Sequence, residues 1–422
     1  MREKKSIMDR KVYIPQMSYI SARCMAAAFQ SVGIDAQPSP TGDAETYELA
    51  RKYLSGDECL PESITLGNFL KITEQADYDP DNVAFMMPTS NGPCRFGHYR
   101  PLIENIFKER KEPVLFVSPS SSDGYGDLGK NANRLFRTAW CSIVVADILR
   151  KLLLKTRPYE LEKGKTDRVY KRSLDRLCDI LAQQDVSHKR RVGNLVEELE
   201  NTLKRFQCIP VNNKVYKPLI GIVGEIFCRL NDFSNSYLIR QIEDHGGEVW
   251  LSDITEWVWY TCNEEKYHLR RLGKQVSLKM FGATIRHAVM HRDEQKLLKP
   301  FRQEFRGYEE PDDIAELLDN SYPYLPREGS HGEMVVNVGR AVWYYKKGAA
   351  GVIDISPFTC MNGIVCESVY PRLSHDLNGF PIRIFYFDGL QTDWGSDVEI
   401  FLELAKQYME QKKSPATRVT EH

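Results

Sequence analysis

Seven short runs of β-branched, aromatic and aliphatic residues, at 12–15, 83–88, 114–118, 219–223, 248–251, 351–356 and 382–387, are each followed by a turn and then a stretch of helical period. This alternation limits the fold more than any other feature, because strands separated by helical crossovers pair in parallel. Several runs are apolar at successive positions, as expected where helices cover both sheet faces. The predicted class is α/β: two Rossmann-like lobes with parallel sheets flanked by helices, plus helical insertions.

Amphipathic helices are predicted at 19–32, 98–111, 131–154, 234–244 and 332–345. In 131–154, Leu135, Ala139, Ile143, Ala146 and Leu149 recur near helical spacing and mark a buried face. The first lobe is read as 1–212, ending in a charged, strand-free helical insertion at about 157–208, where Leu177, Leu181, Val192, Leu195 and Leu199 supply core contacts. The polar stretch 212–217 reads as a linker. The second lobe is read as 213–422 with its own insertion at about 264–325, on which His268, Arg270 and Arg271 form a solvated face. No internal period of about 20 to 50 residues points to a solenoid.

With 57 Lys and Arg against 58 Asp and Glu, the chain has no cationic surplus, and no nucleic-acid partner is expected. No run approaches the roughly 20 apolar residues needed to cross a bilayer, and residues 1–10 are charged, so a cytoplasmic protein without membrane association is expected. In that compartment the ten cysteines are expected as thiols, either packing residues or ligands.

Three cysteines stand at turns that open helices. Cys94 lies in Gly92-Pro93-Cys94-Arg95-Phe96-Gly97, after the run 83–88. Cys360 lies in Pro357-Phe358-Thr359-Cys360-Met361-Asn362-Gly363, after the run 351–356. Cys59 precedes Pro61, a residue suited to the first turn of a helix. Helix N-termini lower thiol pKa values, and several buried thiolates need a cation, so a shared metal ligand is inferred. Without any CxxC pair, zinc falls behind an iron-sulfur site. Cys366 lies six residues after Cys360, about 240 degrees around a helix, and reads as core or as support for the ligands. Cys141, Cys178, Cys228, Cys208 and Cys262 read as packing, and Cys24 is retained as a candidate fourth ligand.

The segments Gly56-Asp57-Glu58-Cys59-Leu60-Pro61, Gly92-Pro93-Cys94-Arg95-Phe96-Gly97-His98-Tyr99 and Pro357-Phe358-Thr359-Cys360-Met361 resemble those of the acyl-CoA dehydratase activase-related proteins, or CoA protein activases. That family is similar to the iron-sulfur subunits of 2-hydroxyacyl-CoA dehydratases and benzoyl-CoA reductases. The likeness extends through Gly221-Ile222-Val223-Gly224-Glu225-Ile226 and Asp388-Gly389. It implies a four-iron four-sulfur cluster held by Cys59, Cys94 and Cys360, shaped by Gly92, Arg95, Gly97, Phe358 and Met361, in an oxygen-sensitive protein of anaerobic metabolism. The related dehydratases take a low-potential electron from an ATP-hydrolysing activase and use it to make a ketyl radical from a CoA thioester. Two departures stand out. The chain has no phosphate-binding loop of its own, so an ATP-dependent activase or another low-potential donor is the expected partner. Asn362 follows Met361 where relatives often have Pro, and Cys366 close behind would serve a larger iron-sulfur cluster.

Among other features, the loop 118–130 offers a nest for a phosphate or pantetheine group, though a plain connecting loop is the commoner meaning. Gly221 to Glu225 lacks a dinucleotide fingerprint. Glu225 and His331 are the acid-base candidates, against capping or pairing with Arg229 for the former and turn packing for the latter. Trp250, Trp257, Trp259 and Tyr260 read as core aromatics. Three functions are therefore carried forward: an electron-relaying iron-sulfur protein, a catalytic subunit acting on a CoA thioester at an open iron, and a non-catalytic scaffold. A homo- or hetero-oligomer is expected.

Overall fold

The computed structural model describes residues 6–90, 92–118, 131–212, 214–328, 330 and 332–413. The chain divides into two units. The first holds residues up to Pro210 together with Asp253–Arg306, and the second holds Val211–Ser252 and the chain from Gly307 onward.

The first unit begins with β1 (Lys11–Ile14), α1 (Tyr19–Gln30), β2 (Ala36–Pro38), α2 (Ala44–Ala50), α3 (Leu60–Thr73), β3 (Val83–Met86), α4 (Phe96–Glu109) and β4 (Leu115–Val117). Three long helices follow, α5 (Ala132–Thr156), α6 (Lys165–Ala182) and α7 (His188–Gln207). The four strands pair in parallel in the order β2-β1-β3-β4. Successive residues of β3 face opposite sides: Phe85 stacks on Phe69 of α3 at 4.2 Å and meets Phe107 of α4 at 5.3 Å. On the other face, Ala84 and Met86 share a core with Phe29 of α1 and Leu135 of α5. Both faces are dry, which explains the unbroken apolar runs. Strand β2 is not foreseen from sequence; it is three residues long, ends in proline and sits at the sheet edge, where a proline costs no ladder bond.

The chain then forms β5 (Leu219–Gly224), α8 (Ile226–Leu230), α9 (Leu238–Asp244) and β6 (Glu248–Leu251) of the second unit. It returns to the first for α10 (Ile254–Arg271) and α11 (Leu278–Leu298), and completes the second with α12 (Ala315–Ser321), α13 (Glu333–Lys346), β7 (Gly351–Pro357), α14 (Met361–Asp376), β8 (Ile382–Phe387) and α15 (Gly395–Lys413). The second sheet is again wholly parallel, in the order β6-β5-β7-β8.

The expected insertion of the second lobe at about 264–325 is thus corrected: residues up to Arg306 belong to the first unit. The reason is packing. Trp140 of α5 donates its indole N–H to the Met290 carbonyl at 2.9 Å and meets Trp259 edge-on at 5.0 Å, and Asp147 of α5 accepts the Thr255 amide at 2.8 Å. Met290, Leu297 and Phe301 are buried, while the expected solvated positions His268, Arg270 and Arg271 are exposed.

The two units repeat more than strand order. Helices α2 and α3 pack in unit one, and α12 and α13 pack in unit two, each pair preceding the third strand of its unit. In both pairs a glycine lets the backbones touch: a Cβ on Gly67 would lie 2.0 Å from the Thr46 carbonyl oxygen, and one on Gly339 would lie 1.9 Å from that of Leu317.

Candidate functional site

A 2-1-3-4 strand order places a topological switch point between the first and third strands, and ligands collect outside the carboxyl ends of strands there. Cys94 follows β3 and Cys360 follows β7, so the two occupy equivalent positions in the two units. Cys59 caps α3 in the connection from β2 to β3.

In the first unit, Cys59 is buried, in extended backbone (φ −68°, ψ 137°), and does not cap the helix with its side chain. The loop ahead of it is organised by Glu58, whose carboxylate accepts the amides of Ser55 at 3.1 Å and Gly56 at 2.9 Å. Burial acts to raise the Glu58 pKa, but these amide bonds outweigh it and hold the group below its ordinary range. Cys94 is exposed, one residue ahead of the cap of α4. Gly92 has φ +130°, a conformation L side chains rarely adopt, and a Cβ on Gly97 would meet the Ser90 carbonyl oxygen at 2.6 Å. Both glycines are therefore needed for the turn that presents Cys94.

The structure joins the two cysteine segments of this unit. Arg95 donates from Nη1 to the Asp57 carbonyl at 2.7 Å, two residues from Cys59. Burial and the charge of Glu58 push the Glu62 carboxyl, in the first turn of α3, up to about 7, and Arg95 opposes them. Glu62 Oε1 is buried without a hydrogen-bond partner.

In the second unit, Cys360 is buried and caps α14 from extended backbone (φ −67°, ψ 122°), again without a side-chain cap bond. Thr359 just before it has φ +64°, a strained conformation for a β-branched residue. Phe358 (63%) and Met361 (36%) are exposed. Asn362 is buried against Gly332 at the entrance to α13, with its Oδ1 lacking a partner. Cys366 is wholly buried, with its thiol 3.6 Å from the Met334 carbonyl, which agrees with the core reading.

The same edge of the second sheet carries a constellation that sequence reasoning only touched. Glu225, directly after β5, caps α8 by accepting the amides of Phe227 at 3.0 Å and Cys228 at 2.7 Å. Glu333, first residue of α13, accepts the Ile226 amide at 2.7 Å. Asp354, inside β7, accepts the hydroxyls of Ser356 and Tyr370, both at 2.7 Å. The guanidinium of Arg229 donates to the Gly224 carbonyl at 2.6 Å and is the cation whose charge reaches all three acids. Two buried carboxyls, Glu333 and Asp354, and the half-buried Glu225 facing one cation cannot all ionise cheaply. Burial raises all three; with the added charge of Glu225, Glu333 is pushed up to about 8. Glu225 thus fulfils the capping role, while Glu333 and Asp354 were missed. Asp354 had a signal, a lone acid in the apolar run Val352-Ile353-Asp354-Ile355.

Cys24, the candidate fourth ligand, is not at a helix entrance. It lies within α1 with its sulfur 4.0 Å from that of Cys178 of α6, a pair inside the helical layer rather than at a strand-to-helix turn. His331 and the loop 119–130 lie outside the described residues. Two of the turn cysteines belong to the first unit and one to the second. Among the described residues, neither unit by itself gathers three His, Cys, Asp or Glu side chains into a metal-holding group, and no helix is long and apolar enough to cross a membrane. No model of a known protein family matches the chain, and no curated protein matches it.

Proposed function

We propose that the chain is an iron-sulfur protein of the 2-hydroxyacyl-CoA dehydratase activase-related type, working in the cytoplasm, that accepts or relays low-potential electrons in ATP-dependent reductive or radical chemistry. Cys59, Cys94 and Cys360 would supply thiolates to a four-iron four-sulfur cluster, which takes up and releases single electrons when bound. The observation that carries this reading is the position of all three sulfurs at helix entrances, where backbone amides and the helix dipole favour the thiolate. Neither Cys59 nor Cys360 uses its side chain to cap its helix. Buried Glu62 and Asn362 stand in the first turns of the helices that Cys59 and Cys360 open. The electron would come from an ATP-dependent activase or another low-potential donor.

Anaerobic purification with iron and sulfide analysis and electron paramagnetic resonance tests this. About four iron and four sulfide per chain are expected, lost on replacing any one of the three cysteines by alanine. Iron-free protein after anaerobic preparation and reconstitution, with all three thiols open to alkylation, refutes it.

A second reading, an acyl-CoA dehydratase- or reductase-like subunit acting on a CoA thioester, draws on the Glu225 and Glu333 pair. A carboxyl that keeps its proton near neutrality, in the unit that carries Cys360, is suited to proton transfer. Under that reading, Glu333→Gln abolishes turnover with activase and reductant present while iron content is unchanged.

A further inference from the structure

Three helices of the first unit, α5, α7 and α11, border a solvent-open cavity of about 350 Å3 whose polar lining is Arg137, His188, Lys189, Arg292, Asp293 and Lys296. We propose that this cavity binds a small anion bearing a pyrophosphate group, either free pyrophosphate or a nucleoside diphosphate.

Charge comes first. Four permanent cations line the cavity against a single carboxylate. That carboxylate is already engaged: Asp293, nearly wholly buried, pairs with Arg137 at 3.1 Å, His188 Nε2 at 2.7 Å and Arg292 at 3.7 Å. These partners hold it ionised despite its burial. Lys189 and Lys296 have no carboxylate partner among the described residues. The excess positive charge is therefore left for a ligand to neutralise.

Two features beside the lining act in the same direction. His188 and Lys189 open the 20-residue helix α7, so its positive end adds to the field. Arg191, one residue beyond Arg190 and wholly buried, has hydrogen bonds to the Thr138 hydroxyl at 3.2 Å and to the Gln183 carbonyl but no carboxylate. Burial and repulsion from Arg134 lower its pKa. A buried guanidinium without a carboxylate adds to the positive charge in the first turn of α7.

His188 supplies a specific recognition element. Its Nε2 is committed to Asp293, while Nδ1 is buried without a hydrogen-bond partner. A phosphate oxygen accepting from Nδ1–H would satisfy that atom. The volume lies near the lower end for small-molecule sites, enough for a pyrophosphate and an attached sugar but not for a nucleic-acid duplex.

The test is calorimetric titration of the full chain with inorganic pyrophosphate, with ADP and with a single-stranded RNA oligonucleotide, in wild type and in the double variant Lys189→Glu, Lys296→Glu. Both lysines are exposed, so the fold is not at stake. Pyrophosphate should bind the wild type, weaken as salt rises and weaken about tenfold or more in the variant. Equal binding of ADP assigns a nucleotide ligand, and binding of pyrophosphate alone assigns the inorganic one. Absence of binding by both, binding unchanged in the variant, or binding of RNA without pyrophosphate overturns the proposal. Iron content should be the same in both proteins, so this result and the fate of the cluster are read separately.

Discussion

The two units share a strand order, a helix pair locked by glycine and a cysteine after the third strand, yet they treat that edge differently. In the first unit the loop after β3 is open: Cys94 is exposed and held by a glycine-rich turn and by Arg95. In the second the corresponding Cys360 is buried beside a strained threonine, and the edge is filled by Glu225, Glu333, Asp354 and Arg229. At the helix entrance after the second strand the first unit has Cys59 and the second has Gly332 with Glu333. One architecture thus carries cysteines at two helix entrances in one copy. In the other it carries one thiol and a proton-holding carboxyl cluster.

The strongest challenge to this equivalence is at the glycines. Gly67→Ala and Gly339→Ala each force a methyl into a carbonyl oxygen of the neighbouring helix and should each cost about 3 kcal/mol or more, measured by denaturant unfolding. If one is tolerated, the two helix pairs are not equivalent.

The acid cluster gives the next largest effect, confined to the second unit. The folded state keeps the Glu333 proton until about pH 8, whereas the unfolded chain releases it near 4.5. Between those values the folded state binds more protons, so stability is present below about 4.5 and declines as pH rises through about 8. Glu333→Gln should flatten this decline by about 1–3 kcal/mol. A wild-type unfolding midpoint that stays level or rises over that range removes the proton-holding role.

The smallest effect sharpens the account of the first unit. Arg95→Ala removes the bond to Asp57 and should cost about 0.5–1 kcal/mol. It should also speed hydrogen exchange in residues 55–59 and 92–97 together. Faster exchange in 92–97 alone would show that the two cysteine segments are not coupled.

Legibility followed the range of each interaction. All seven predicted strands start within one residue of their observed positions, and all but Val83–Met86, which ends earlier, also end within one, because apolar runs between turns are local signals. Leu177, Leu181, Val192, Leu195 and Leu199 are all buried, as helical spacing implied. Strand β2 was illegible, since Ala36–Pro38 is an edge ribbon defined by its neighbour rather than by its residues. Cys24 and Cys178, 154 positions apart, could not be paired from spacing, and neither could Glu225 with Glu333.

Local periodicity alone determined that this chain would build parallel sheets clad in helices, and turn chemistry alone marked the helix entrances where Cys59, Cys94 and Cys360 sit. Tertiary structure decided that α10 and α11 serve the first unit, that Gly67 and Gly339 are interlocks, and that Glu333 comes within electrostatic reach of Arg229 and Glu225. The difference is physical: a period is written into neighbouring residues, whereas a packing partner or a shared proton depends on side chains that only folding brings within reach.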